Sequence, residues 1–317
     1  MSGFSRRGLL GQGAAFALAP SLARAATGTR LAPEPVPQTQ NIQGAPDAQN
    51  RLTVDTFVNG EGPFAFVVDT GADRSVIADE LAQKLGLRIG SDVNVQGIAR
   101  ALLAPSVRLD NLRVGRVGIQ TLPVPVLPRS WLAADGYLGL DVIDRQAVTF
   151  DFQNHKLLIR PSDLISDWLP SGQTLVRVNG SNGKLTAVNC TVDGSQAFAF
   201  VDSGAEISIG NNRLFQALQR NGAKYMNEEV VQLLGVTGGS VAGRLTFVDR
   251  IKLGPVSFVN SVLLIADLPV FDVWNLADKP ALFIGMNFLR QTSSVTIDYG
   301  RKELRFKLAQ FMMANRG

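Results

Sequence analysis

Four stretches of this 317-residue chain occur twice and in the same order, which constrains it to two similar units rather than one continuous domain. Phe64–Asp73 is matched by Ala197–Glu206, with Asp69 and Asp202 in register at an offset of 133. Leu112–Val117 is matched by Ile251–Val256, Gly115 against Gly254, at an offset of 139. Val148–Phe152 is matched by Val295–Tyr299 at 147, and just before it Tyr137–Ile143 matches Phe283–Leu289. The offset grows slowly, as small loop insertions in the second copy would make it. Chance readily yields one such pair, but not an ordered series.

Each copy reads as mostly β. Runs of β-branched and aromatic residues end in turn signals such as Asn59-Gly60 and Asp193-Gly194. Val148–Ile159 and Val295–Phe306 alternate apolar and polar residues around a turn, the pattern of a hairpin. A short helix is expected over Asp79–Gly86, which opens with acids and closes on glycine, and another over Asn211–Asn221. Further short helices should follow Gly139 and Gly285. The boundary between the units is placed in Leu164–Gln173, around Pro170-Ser171-Gly172.

Composition excludes several kinds of chemistry. Apolar residues make up 45% of the chain and charged ones 18%, enough to build packed cores. The net charge of +4 is scattered rather than striped, so nucleic acid is not an expected partner. A single cysteine, Cys190, permits no intrachain disulfide and reads as a buried strand thiol. The single histidine, His155, sits in a turn-like stretch, Gln153–Lys156. One His and one Cys leave almost no material for a zinc site or for Ser-His or Cys-His catalysis, and no cofactor is expected.

The first residues read as an address. Arg6-Arg7 precedes an apolar stretch, Leu9–Leu22, that is too short to span a bilayer comfortably, and Ala23-Arg24-Ala25 offers a cleavage site. Residues 1–25 are therefore expected to be a signal peptide of the twin-arginine type, directing export to the bacterial periplasm or beyond. No membrane span is expected after its removal. Residues 26–50, rich in Pro, Gln, Asn and Gly, read as a flexible linker or a removable pro-segment. The two units are expected over 51–165 and 172–310.

Asp69 ends an apolar run and is followed by Thr70 and Gly71. A carboxylate there is costly unless it is hydrogen-bonded or used, and the glycine suggests a tight turn at positive φ. Alone, this reads as a plain strand-end turn. The second copy keeps acid, hydroxyl and glycine together in Asp202-Ser203-Gly204. A duplicated fold with a two-fold axis can bring two such turns face to face. Two carboxylates in contact share one proton, so that one can act as base toward a water and the other as acid toward a carbonyl oxygen.

Asp69-Thr70-Gly71-Ala72 and Asp202-Ser203-Gly204-Ala205 resemble the active-site signature of aspartic proteases, closest to the retropepsin-like branch. Leu138–Asp141 and Ile284–Asn287 resemble the apolar-apolar-Gly segment that packs beneath the catalytic turn in that family. The resemblance covers most of Arg51–Leu308. It implies an all-β fold of two β-barrel lobes in one chain, related by a pseudo-two-fold axis, each with short helices. It also implies Asp69 and Asp202 as catalytic residues, with Thr70, Gly71, Ser203 and Gly204 in support. Substrate-covering hairpin flaps would be Val95–Arg100 with Gly97 and Ile98, and Leu234–Gly239 with Gly235 and Val236. The first has one glycine and departs from the family pattern, leaving open whether both flaps close.

The implied activity is hydrolysis of a peptide or protein substrate, with one chain sufficient for the site. Two other readings use the same residues. One is a peptide-binding module without turnover. The other is a glycoside hydrolase, although three Trp and three Tyr are few for sugar stacking.

Overall fold

The computed structural model describes residues 40–46, 52–143, 145–162, 171–181 and 184–308. The expected signal peptide, residues 26–39 and most of the expected boundary at Leu164–Gln173 lie outside them. The first copy runs β1 (Gln40–Pro46), β2 (Leu52–Val58), β3 (Glu61–Val68), β4 (Val76–Ala78), α1 (Asp79–Lys84), β5 (Val93–Gln96), β6 (Ala101–Ala104) and β7 (Ser106–Val114). It continues with β8 (Val117–Leu127), α2 (Arg129–Leu132), β9 (Gly136–Leu138), α3 (Leu140–Ile143), β10 (Gln146–Asp151) and β11 (Lys156–Pro161). The second runs β12 (Gln173–Ser181), β13 (Lys184–Val192), β14 (Ser195–Val201), β15 (Ile209–Gly210), α4 (Asn212–Gln219), β16 (Tyr225–Leu234) and β17 (Ser240–Leu253). It ends with β18 (Val256–Ile265), α5 (Pro269–Val273), β19 (Ala281–Ile284), α6 (Met286–Leu289), β20 (Thr292–Asp298) and β21 (Glu303–Leu308).

Turn chemistry sets equivalent hairpins in both copies. Asn59 and Gly60 take φ of 52° and 86°, and Asp193 and Gly194 take 43° and 82°, the left-handed pair that a tight β-hairpin requires. In the first copy β2, β3, β9, β4, β8 and β7 pair in that order and close back on β2. In the second, β13, β14, β19, β15, β18 and β17 close on β13 in the same way. Closing the ring removes its free edges, and the inward faces fill with side chains such as Phe66, Leu109, Leu138 and Phe258.

A six-stranded antiparallel sheet joins the lobes in the order β1, β11, β10, β20, β21, β12. At its centre Thr149 pairs with Thr296, its own counterpart in the repeat, and their hydroxyls lie 2.7 Å apart. A residue that pairs with its own equivalent marks the two-fold axis. Phe150, Leu157, Val295 and Phe306 make the sheet part of one apolar cluster running from lobe to lobe.

The expected linker over 26–50 needs correction. Its described part, Gln40–Pro46, is the strand β1, paired with β11 and β2 as β12 is with β21 and β13. The first lobe thus begins before Arg51. Gln, Asn, Gly and Pro read as linker because strand propensity lies in side chains, whereas β1 is held through its main chain. The helix expected over Asp79–Gly86 is α1, and that expected over Asn211–Asn221 is α4, with the Asn211 side chain accepting from Leu214 N–H at 2.9 Å. The helices expected after Gly139 and Gly285 are α3 and α6. The one-turn helices α2 and α5 were not anticipated, because segments of four and five residues are too short to show a helical period. Cys190 is buried, which pushes its thiol up to about 12, and His155 is exposed in a turn. Among the described residues no helix is long and apolar enough to cross a membrane.

Candidate active site

Asp69 and Asp202 stand at the ends of equivalent strands. Each main chain is pinned by the neighbouring parallel strand: Asp69 N–H donates to Leu138 O and Asp202 N–H to Ile284 O, both at 3.0 Å. The hydroxyls behind them cross the axis. Ser203 Oγ accepts from Thr70 N–H at 3.1 Å and donates to Val68 O at 2.8 Å. Thr70 Oγ1 accepts from Ser203 N–H at 2.9 Å and donates to Val201 O at 3.4 Å. Thr70 and Ser203 are buried, so each hydroxyl satisfies the opposite strand end in a place water does not reach. These exchanged bonds hold the two carboxyls against each other.

The glycines work differently from the expectation. Neither Gly71 nor Gly204 has positive φ. What each needs is the absence of a side chain. A Cβ on Gly71 would lie 2.8 Å from Asp202 Cγ, and one on Gly204 would lie 2.5 Å from Asp69 Cγ. Each glycine therefore makes room for the opposite carboxyl. Gly204→Ala is expected to cost about 1–3 kcal/mol through overpacking and to separate the carboxyls. Thermal melting and a crystal structure of the variant would check both effects.

The two carboxyls hydrogen-bond to each other, and each also accepts from the backbone of its own turn. Asp69 Oδ1 accepts from Gly71 and Ala72 N–H at 2.8 and 3.1 Å, while Asp202 Oδ1 accepts from Gly204 N–H at 2.9 Å. Burial, and then the charge of Asp202, push Asp69 up to about 8 against the pull of those N–H groups. The proton belongs to the pair.

Above the carboxyls lies a cavity of about 650 Å³, roofed by the hairpins β5–β6 and β16–β17. Ile98 and Val236 line it from the roof, with Gly97 beside Ile98. The hairpins lock together. Thr237 Oγ1 donates to Arg100 O and Arg100 Nε donates to Thr237 O, both at 2.9 Å. A Cβ on Gly97 would lie 2.7 Å from Thr237 Cγ2, so this hairpin's one glycine is where the opposite threonine seats. Gly235 approaches Ala99, with room for a Cβ only 3.2 Å from that methyl, and Arg100 lies over the Trp131 ring at 5.9 Å. Despite the departure in the first hairpin, the two meet across the cavity.

An aspartyl protease family model matches the chain twice, over residues 54–142 and 188–288. The chain belongs to the aspartyl protease family. No curated protein matches it.

Three supports of this aspartyl protease family member's site were not singled out from the sequence. Beneath the first turn, Ser75 donates to Asp141 Oδ1 through Oγ at 2.7 Å and accepts from Gly139 N–H at 3.0 Å. Beneath the second, Ser208 donates to Asn287 Oδ1 at 2.7 Å and accepts from Gly285 N–H at 2.8 Å. The offset of 133 that aligns the acids also aligns the two serines, so the repeat could have revealed them. Asp141 is raised, by burial first, against the bonds from Ser75 and the more weakly felt charge of Arg74. Ser75→Ala is expected to cost about 1–3 kcal/mol by leaving that carboxyl short of a donor, measurable as a lowered urea midpoint.

The third support is Tyr299, whose buried hydroxyl donates to Thr70 O at 3.4 Å. Burial and the two nearby acids hold it well above its ordinary value, so it stays a neutral donor. Its equivalent, Phe152, has no hydroxyl, and a single-copy pattern is invisible to a repeat. Among the described residues no cluster of His, Cys, Asp and Glu is arranged to hold a metal ion.

Proposed function

We propose that the chain is an active aspartic endopeptidase. The observation that carries this reading is the hydrogen-bonded contact of Asp69 and Asp202 beneath two hairpins that meet across the cavity. An extended peptide lies between the carboxyls and the hairpins, held as a strand. The ionised carboxylate takes a proton from a water held between the two groups, and the water oxygen attacks the scissile carbonyl carbon. The protonated carboxyl gives its proton to the carbonyl oxygen. The carboxyl that took the water's proton then gives it to the amide nitrogen, and the C–N bond breaks. The other carboxylate takes a proton from one hydroxyl of the tetrahedral adduct as the new carboxyl group forms, so the pair is left with one proton again. A glycoside hydrolase is disfavoured, because it needs carboxyls about 5 Å or more apart. Arg6-Arg7 and the apolar stretch after it support export, and with it a substrate in the cell envelope or outside.

Incubating the folded protein with a proteome-derived peptide library from about pH 4 to 9, with and without pepstatin, tests the reading. New termini found by mass spectrometry are the expected result. A folded protein that retains peptides at every pH and cuts none would identify a binding module instead.

A further inference from the structure

The lobes are equivalent in backbone, yet at one pair of positions lining the cavity they differ in charge. Arg74 and Ile207 correspond through the same offset as Asp69 and Asp202. Their main chains are fixed in the same way. A Cβ on Gly139 would lie 2.5 Å from Arg74 C and 2.7 Å from its O, and one on Gly285 would lie 3.0 Å from Ile207 C and 2.9 Å from its O. Packing against glycine leaves neither backbone room to shift. Both residues line the cavity. Their neighbours Asp73 and Glu206 are both exposed acids, so they do not tell the two sides apart. The asymmetry rests on the side chains of 74 and 207.

Ile207, like Trp274, packs against the apolar cluster of the second lobe, which includes Phe283. Arg74 is half-buried, and although its charge is weakly felt by Asp141 it makes no hydrogen bond or ion pair among the described residues. Among the described residues that line the cavity it is the one cation, the charged others being Asp69, Asp73, Asp202 and Glu206. A guanidinium in a partly dry cavity, with its fork of donors unused, is matched by a carboxylate.

Resting on the endopeptidase reading, we propose that Arg74 fixes the direction of the bound peptide. It receives an acidic side chain on one side of the scissile bond, and Ile207 receives an apolar one at the two-fold-related position on the other side. The carboxyl pair alone, being nearly symmetric, cannot choose between the two orientations of a strand.

The test uses octapeptide sets in which one position at a time is Glu, Leu or Lys. Cleavage is followed with the intact protein, and binding by fluorescence anisotropy with Asp202→Asn. One position should prefer Glu to Leu by about tenfold or more, in kcat/KM and in Kd. Arg74→Ile should erase that ratio, and Arg74→Glu should turn the preference toward Lys. Arg74→Gln, which keeps most of the stem, serves if Arg74→Ile does not fold. A Glu-to-Leu ratio that stays unchanged in the variants, or no position that favours Glu, overturns the assignment. If the protein binds peptides but cuts none, the endopeptidase reading fails while the binding ratio still decides the role of Arg74. If it binds none, both fail.

Discussion

Asp202→Asn is expected to lower kcat by about a thousandfold or more while peptides still bind. The carboxamide keeps the shape of the carboxylate, and Gly204 N–H can still reach its oxygen, so the turn is retained. What disappears is the exchangeable proton. An amide neither takes a proton from water nor returns one to a carbonyl oxygen, and the remaining Asp69 then has no partner of opposite duty. Asp69→Asn should be as damaging, because the pair acts as a unit. Stopped assays of product, run beside anisotropy measurements of binding, separate the two effects. Unimpaired cleavage by either variant would remove these carboxyls from the chemistry.

Asp69→Asn is also expected to melt at a higher temperature than the parent at pH 8, and at the same temperature near pH 4. The sign follows from the pair's proton. Asp69 titrates near 3.8 when unfolded and is raised to about 8 when folded. Between those values the folded chain holds a proton that the unfolded chain has released, so this stabilisation is complete below about pH 4 and is lost as pH climbs to about 8. An asparagine has no such proton to lose. A gain of about 3 °C or more at pH 8 is the expected reading by differential scanning calorimetry. It would mark the pair as a site kept at the expense of stability. Activity should follow the same group: kcat should fall on the alkaline side as the pair loses its last proton, with a midpoint near 8. A variant that melts no higher than the parent at pH 8 would contradict this account.

Much of the architecture was legible because duplication writes the same pattern twice. The offset of 133 puts the two acids, their hydroxyls and their glycines in register before any contact is known. What a repeat cannot show is what crosses the axis. Nothing local in Thr70 or Ser203 says that each satisfies the other's strand end, and nothing in Gly71 says that its missing side chain is filled by Asp202. The reason first given for the glycines was a backbone one, and the structure replaces it with a steric one. β1 was missed because main-chain pairing leaves little trace in composition. Thr237 was missed because a threonine between glycines reads as an ordinary turn until the opposite hairpin is placed beside it.

The pairing of Thr149 with Thr296 bears on when the carboxyl pair is assembled. The hydroxyl contacts that hold the carboxyls against each other span the two halves, so the pair exists only after both halves of the chain have met, which is the slow part of folding a β protein. During synthesis the first lobe emerges with Asp69 and no partner. A nascent or truncated chain therefore carries only one half of the carboxyl pair. A homodimeric arrangement would control this step through concentration; here it is timed by the completion of a single polypeptide.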